Sequence, residues 1–567
     1  MSAIRRPLPL VLLFAALLLA ALLTAPLSAP ATAAAPPGPA TTADRTSEPD
    51  TGATGVPFTG TTPDGEVRGY IDAHTHVMAY EAFGGMLFCG RPYDERGVEA
   101  ALRDCFDHQG NGALAWFENL TRHGTPLGTH DPVGWPTFKD WPAWDSRTHV
   151  QTYHTWLERS WRAGQRILVN HLVANRQLCE IYPLKRNSCD EMEIVRLQAR
   201  RMAQMQDYID RLHGGPGKGW FRIVRDSAEA RRVIESGRLA VVLGVEVSEP
   251  FGCRKIGDRA ACTREQIDRG LDEMKDLGVS SMYLCHKFDN ALCGVRFDSD
   301  ATGVVVNLGN FLGTGRFWQV EPCTGPEHDN EIQPSGVLGD LLRGPLSGLG
   351  LAGLTLPVYP SPPHCNVHGL TELGEYALKG MIDRNMIVEI DHMSVKAARR
   401  TLEILEEYRY PGVISSHSWM EPSYARRVYR LGGMITSYGH RADRFVEEWR
   451  ANKANRDPSR PFGYGYGLDA NGMGALPPPR PEGGAGKLRY PFTSPIDPGV
   501  TLDRQRTGRR TWDVNTDGVA NYGLVPDWIA DMRAIAGPEL TEDLARGAET
   551  YLQMWRRTEQ APGTGTG

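Results

Sequence analysis

Seven residues in this chain have the types and placing to do metal-assisted chemistry. His392 and His417 each close a short β-branched run. Ile387, Val388 and Ile390 lead into Asp391-His392, and Val413 and Ile414 lead into Ser416-His417. Between the runs, Ala397, Leu402, Ile404 and Leu405 fall on a helical period. Parallel strands joined by a helix end on the same side, so both imidazoles emerge on one rim, where a divalent ion such as zinc takes neutral histidine nitrogens. His74 and His76 end the run Tyr70-Ile71, and the two-residue period of a strand points both the same way. Glu246 ends the apolar run Leu239–Glu246, where a carboxylate is costly unless it is paired or bound to metal. His286 and Asp469 close two further runs, adding two more polar, metal-type residues to the same rim.

The elements that must position these groups alternate along the chain. Eight strands are marked by Tyr70, Ile167, Val241, Met282, Val388, Ile414, Ile435 and Tyr466. At least one helical pattern separates each from the next; Glu191–Leu212, with Met192, Val195, Met202 and Ile209 on its inner face, is the longest. This α/β order predicts a (β/α)8 TIM barrel, residues 67–556, whose active site lies at the C-terminal strand ends. Long βα-loop insertions are expected at about 79–161 and 294–368, packed over that end. His364 and His368 read as loop residues, because Pro362-Pro363 and Gly369 break any helix there. Helices at about 519–535 and 541–556 finish the domain.

Composition narrows the partners. The 567 residues carry a formal charge of −6, which becomes −8 without the leader, whose charges are Arg5 and Arg6. No basic face suggests nucleic acid. Arg5-Arg6, the apolar run Leu10–Leu23 and the small residues to Ala35 make residues 1–35 a secretory signal peptide, with an uncleaved anchor as the alternative. No other segment is long and apolar enough to span a bilayer. Residues 36–66, rich in Ala, Thr, Pro and Gly, read as a disordered linker, and 557–567 as a disordered tail. Ten cysteines fall into sequence-near pairs, Cys89/Cys105, Cys179/Cys189, Cys253/Cys262, Cys285/Cys293 and Cys323/Cys365. In an exported chain these are expected to form local disulfides, and none has the spacing of a cysteine-ligated zinc site.

Several of these segments resemble the membrane (renal-type) dipeptidase family of the metal-dependent amidohydrolase superfamily. They are VVLGVEVSE, GVSSMYLCHKFDNALCG, GLTELGEYALKGMIDRNMIVEIDHMSVKAARR, PGVISSHSW, FGYGYGLDANGMG and ANYGLVPDWIADM. The likeness runs discontinuously from about Gly237 to Trp555, plus the first strand. It implies two zinc ions bridged by Glu246, with His74 and His76 on one and His392 and His417 on the other. It also implies that His286 contacts the scissile carbonyl and that Asp469 handles protons, while a metal-bridging hydroxide attacks. Three departures stand out. The family's first-strand His-x-Asp is His74-Thr75-His76 here, and Val247-Ser248-Glu249 replaces its Gly-Gly-His. No counterpart of its carboxylate-binding arginine is evident, Arg426 and Arg427 being near it only in sequence.

The expected function is a secreted binuclear-zinc hydrolase cleaving the amide bond of a dipeptide or small N-acyl compound. Two alternatives stay open: a lactone or phosphoester hydrolase on the same centre, and a catalytically decayed barrel acting as a binding or surface protein.

Overall fold

The strand that carries Glu246 is buried along its whole length, Leu239–Val247, and its sequence LAVVLGVEV explains why. Val and Leu on both faces suit a parallel strand covered by helices outside and packed side chains inside. The computed structural model describes residues 48–103, 111–113, 115–123, 128–332, 357, 359–481 and 486–565. Residues 1–47, on which the expected signal peptide and the first part of the expected linker fall, lie outside these, as does Cys105.

Around that strand eight parallel segments close on themselves. They are β1 (Tyr70–Thr75), β2 (Gln165–Ala174), β3 (Leu239–Val247), β4 (Val279–Met282), β5 (Ile387–Glu389), β6 (Val413–Ser415), β7 (Met434–Ile435, resuming as Ser437–Tyr438) and β8 (Tyr466–Gly467). β2 and β3 run in register from Ile167↔Ala240 to Ala174↔Val247, so β2 continues past His171. The ring closes because the two halves of β7 pair on opposite sides, Ser415↔Ile435 toward β6 and Ser437↔Tyr466 toward β8. This is the α/β barrel expected from the alternation of elements. A further strand, Phe221–Val224, pairs in parallel with the first half of β3.

The helices start where local chemistry starts them. Asp190 accepts from the Glu193 amide ahead of Glu191–Leu212, and Ser394 accepts from Ala397 ahead of Val395–Glu407. Thr263 and Gln266 form a reciprocal capping box at Arg264–Asp276. Each such cap is worth about 1 kcal/mol, enough to fix a boundary and with it the strand that follows.

Three expectations change. Residues 48–66 are not a free linker: Ala53–Gly55 pairs antiparallel with Val500–Leu502, and the Phe58 amide donates to Asp497 Oδ2 at 2.6 Å. Backbone pairing of this kind needs no apolar pattern, so composition does not report it. The last helix runs through Gly547–Glu559, into the stretch read as a tail, and the Thr564 amide then donates to Asp383. Within the second insertion, His364–Asn366 is a strand paired with Val320–Pro322, not a loop.

Disulfides join Cys179–Cys189, Cys253–Cys262, Cys285–Cys293 and Cys323–Cys365, four of the expected pairs. Cys89 is disulfide-bonded as well, and its expected partner Cys105 is outside the described residues. The bridge Cys285–Cys293 brackets His286 and pins the loop leaving β4. Native alkylation followed by intact-mass analysis is expected to label no thiol until reductant is added. Labelling of the untreated protein would contradict the pairing.

Candidate metal centre

Every strand-end residue named from the sequence reaches one buried spot. His74 and His76 lie on and just after β1, Glu246 on β3, His286 after β4, His392 after β5, His417 after β6 and Asp469 after β8. Two triplets emerge: His74, His76 and Glu246, and Glu246, His392 and His417. The two carboxylate oxygens of Glu246 face different triplets. Oε2 is 3.2 Å from His76 Nε2 and 3.5 Å from His74 Nε2, whereas Oε1 is 3.3 Å from His392 Nε2. Within each triplet the imidazoles converge, Nε2 to Nε2, at 3.2 Å for His74–His76 and 3.0 Å for His392–His417. Asp469 Oδ1 joins the first group, 3.1 Å from His76 Nε2.

These separations test whether the residues suit a metal. In a tetrahedral site with metal–nitrogen distances of about 2.0–2.1 Å, neighbouring ligand atoms stand about 3.3 Å apart. Both groups come close to that edge length. Oε1 of Glu246 is buried and accepts no hydrogen bond, an expensive state for a carboxylate oxygen that lacks a cation. Electrostatics point the same way. Burial pushes Glu246 toward its neutral form, but the neighbouring His286, His74 and His392 hold its carboxyl well below the usual range. Burial also opposes protonation of His76 and His417. For His76, hydrogen bonds to Asp469 and Glu246 outweigh it and lift the imidazole to about 10; for His417 the Asp391 carboxylate does so. Burial keeps His74 and His392 well below their ordinary value. Positive charge is thus favoured beside these carboxylates, and a divalent ion at the same place would supply it. The donor set fits a pair of such ions.

The outer nitrogens are held by groups the sequence did not single out. His76 Nδ1 meets the backbone oxygen of His171 at 2.8 Å, which makes Nδ1 an N–H donor and turns Nε2 toward the triplet. Asp391, completely buried, gathers Ser415 Oγ, the amides of His417 and Trp419, and His417 Nδ1 at 3.1 Å. That carboxylate ties the end of β5 to the end of β6. Asp72 does the same between β1 and β8, accepting from the amides of His74 and Leu468 and from the Tyr522 hydroxyl. An Asp one residue before a strand-end His, as in Asp391-His392, is the only trace of this in the sequence.

Backbone strain marks the same rim. His392, Ser418 and Asp469 have φ of 66°, 57° and 51°, in the left-handed region that residues with a β-carbon seldom enter. The Arg296 amide donates to the His392 oxygen at 2.7 Å, and the Asp469 amide donates to the His74 oxygen at 2.8 Å, so the conformations are held from neighbouring loops. Two glycines make the room. A β-carbon at Gly467 would lie 2.1 Å from the Ser416 oxygen, and one at Gly472 would lie 1.7 Å from Asp469 Oδ1.

His286 sits on the open side. Its Nε2 is 3.6 Å from Glu246 Oε1, its side chain is 11% exposed, and burial lowers it to about 3, so it is a neutral imidazole near neutral pH. Asp469 is 17% exposed, while the four paired histidines and Glu246 are at most 4%. Both insertions are tied to the rim. Arg147 Nη1 donates to the Met473 oxygen and the Gln151 amide to Asn471 Oδ1, while the Val395 amide donates to Asp329 of the second insertion. Lys287 brings a cation to this edge. Its Nζ is 3.0 Å from Asp298 Oδ1 and 5.4 Å from the Trp419 ring centre, and that ring lies 5.7 Å from the His392 ring. Arg426 and Arg427, near the site only in sequence, are instead held by Asn455 and Glu406 on the outer helices.

No family model matches this chain, and no curated protein does. Solved structures do overlay on it. A metallopeptidase from Rhodobacter sphaeroides, liganded with a phosphinate mimic of the dipeptide L-Ala-D-Ala, is 11% identical over 87% of this chain and 100% of its own, with a TM-score of 0.41. An amidohydrolase from Pseudomonas aeruginosa is 11% identical over 71% of this chain and 91% of its own, at 0.38. The dipeptidase AC, a metallopeptidase, is 12% identical over 71% and 88%, at 0.37.

Proposed function

We propose that this protein is an exported binuclear-zinc hydrolase that cleaves the amide bond of a small substrate, a dipeptide or an N-acyl amino acid. One observation carries the reading: two imidazole pairs share Glu246, and each carboxylate oxygen of Glu246 faces one pair. When bound, a pair of divalent ions supplies Lewis-acid polarisation of a carbonyl and water with a pKa near about 7. His74, His76 and Glu246 would hold one ion, and Glu246, His392 and His417 would hold the other. His286 donates a hydrogen bond to the carbonyl oxygen as negative charge builds on it, from a neutral ring that burial keeps neutral. Asp469 takes the proton of the attacking water and passes it to the leaving amine. Lys287 gives the pocket edge a positive charge against which a substrate carboxylate can lie. The disulfides suit an oxidising compartment.

The test is metal content of the mature protein by elemental mass spectrometry, on wild type and His392→Ala. About two zinc per chain, falling to about one in the variant, is the expected result. Zinc that never exceeds one per chain after reconstitution removes the binuclear reading. Turnover of dipeptides and N-acyl amino acids, against esters, lactones and phosphoesters, then fixes the bond class.

A further inference from the structure

The ligand pairs on the two sides of Glu246 come from different strands, yet something besides Glu246 must keep them in mutual register. β4 stands between β3 and β5 in the ring, and just beyond its end stands Tyr283, fully buried. Its ring packs edge-on against His74 with centroids 5.8 Å apart, and lies 5.9 Å from His392 and 6.3 Å from His417. Its hydroxyl is 3.1 Å from His74 Nδ1, 3.3 Å from His417 Nδ1 and 2.7 Å from Ser416 Oγ. Ser416 Oγ in turn is 3.1 Å from His74 Nδ1, and the His74 and His417 rings are stacked with centroids 4.1 Å apart.

Counting protons shows what this arrangement does. If the Nε2 atoms of His74 and His417 are to be lone-pair donors, both Nδ1 atoms must carry hydrogen. The His417 N–H has the Asp391 carboxylate, and the Tyr283 oxygen lies just beyond it. The His74 N–H faces no carboxylate; its acceptors are the Tyr283 and Ser416 oxygens at equal distance. One O–H between those two oxygens completes the set. Among the described residues, the other side chains hydrogen-bonded to these outer nitrogens serve a single ligand each. Ser416 serves His74, and Asp391 serves His417. Among the described residues, the Tyr283 hydroxyl is the side-chain group that reaches an outer nitrogen of a ligand from each triplet.

We infer that Tyr283 is a positioning residue that couples the two halves of the metal centre, its hydroxyl fixing His74 and His417 together. This rests on the binuclear reading above. Tyr283→Phe keeps the ring and removes the oxygen. The zinc affinity of both half-sites should then fall together, by about 10- to 100-fold, the usual effect of losing a partner behind a metal-bound histidine. Ser416→Ala should weaken only the half-site of His74, and Asp391→Asn only that of His417. Zinc binding is followed by competition with a chromophoric chelator, and circular dichroism reports folding. If Tyr283→Phe does not fold, Tyr283→Leu carries the same expectation. Two-site weakening in the Tyr283 variant, with one-site weakening in the others, is the result expected. Wild-type affinity at both sites, or weakening at one site only, overturns the inference. A wild type that takes up fewer than two zinc ions overturns the binuclear reading itself, a distinct failure.

Discussion

Glu246→Gln will empty both metal half-sites at once and take the activity with them. The substitution changes one oxygen to NH2 and leaves the shape of the side chain nearly intact. Its effect is therefore one of charge and lone pairs. In the native protein Oε2 stands 3.2 Å from His76 Nε2 and Oε1 stands 3.3 Å from His392 Nε2, so either orientation of the amide turns N–H hydrogens toward one imidazole pair. The pair facing NH2 loses an anionic ligand outright; the pair facing the carbonyl keeps a neutral oxygen in place of a charged one. Both losses occur where water cannot compensate, since Glu246 is only 2% exposed. We expect zinc affinity to drop by more than about 100-fold at each half-site, beyond the range for an outer-sphere partner. Turnover should fall by on the order of 10³-fold, because the electrostatics of the reaction are organised around this carboxylate. Elemental mass spectrometry and a turnover assay on the same preparation check it. A Glu246→Gln protein that retained two zinc ions per chain would show that the carboxylate is not the shared ligand.

How much of this was legible beforehand follows from what each residue does. His74, His76, Glu246, His286, His392, His417 and Asp469 are polar groups placed where apolar strands stop, a contrast that hydropathy displays directly. The eight barrel strands were legible for the same reason, being β-branched runs bounded by helices. Tyr283 and Ser416 were not. They stand among Met282, Leu284 and Ser415 as ordinary barrel residues, and only the closing of the ring brings Tyr283, beyond the end of β4, to the histidines of β1 and β6. Asp391 was hidden by its neighbour, since a strand-end Asp-His dipeptide draws attention to the histidine. Phe221–Val224 was missed because four residues with a central Arg carry little period, and its place is set by pairing with β3. The segment 53–55 joins its sheet through backbone groups alone, which no side-chain pattern announces.

The same contrast makes Asp469 the cleanest place to separate chemistry from metal binding. Asp469→Asn should reduce turnover by about 10²- to 10⁴-fold, the range for losing a positioned general base, while most of the zinc stays bound. Its backbone has a φ of 51°, and Asn is the residue with a β-carbon that most readily accepts the left-handed region, so the loop from β8 should keep its path. The hydrogen bond that the Asp469 backbone amide donates to the His74 oxygen is untouched, and Gly472 still leaves the space the side chain needs. An Asn oxygen at the Oδ1 position can still face His76 Nε2, 3.1 Å away, so the first triplet keeps its neighbour. What Asn cannot do near neutral pH is accept a proton and release it to a leaving amine. Zinc content and turnover measured together discriminate the roles. Retained zinc with turnover largely lost places Asp469 in proton transfer. Near-normal turnover moves that role to another group, and zinc lost in step with turnover makes Asp469 a ligand first, extending the triplet of His74, His76 and Glu246 by one carboxylate.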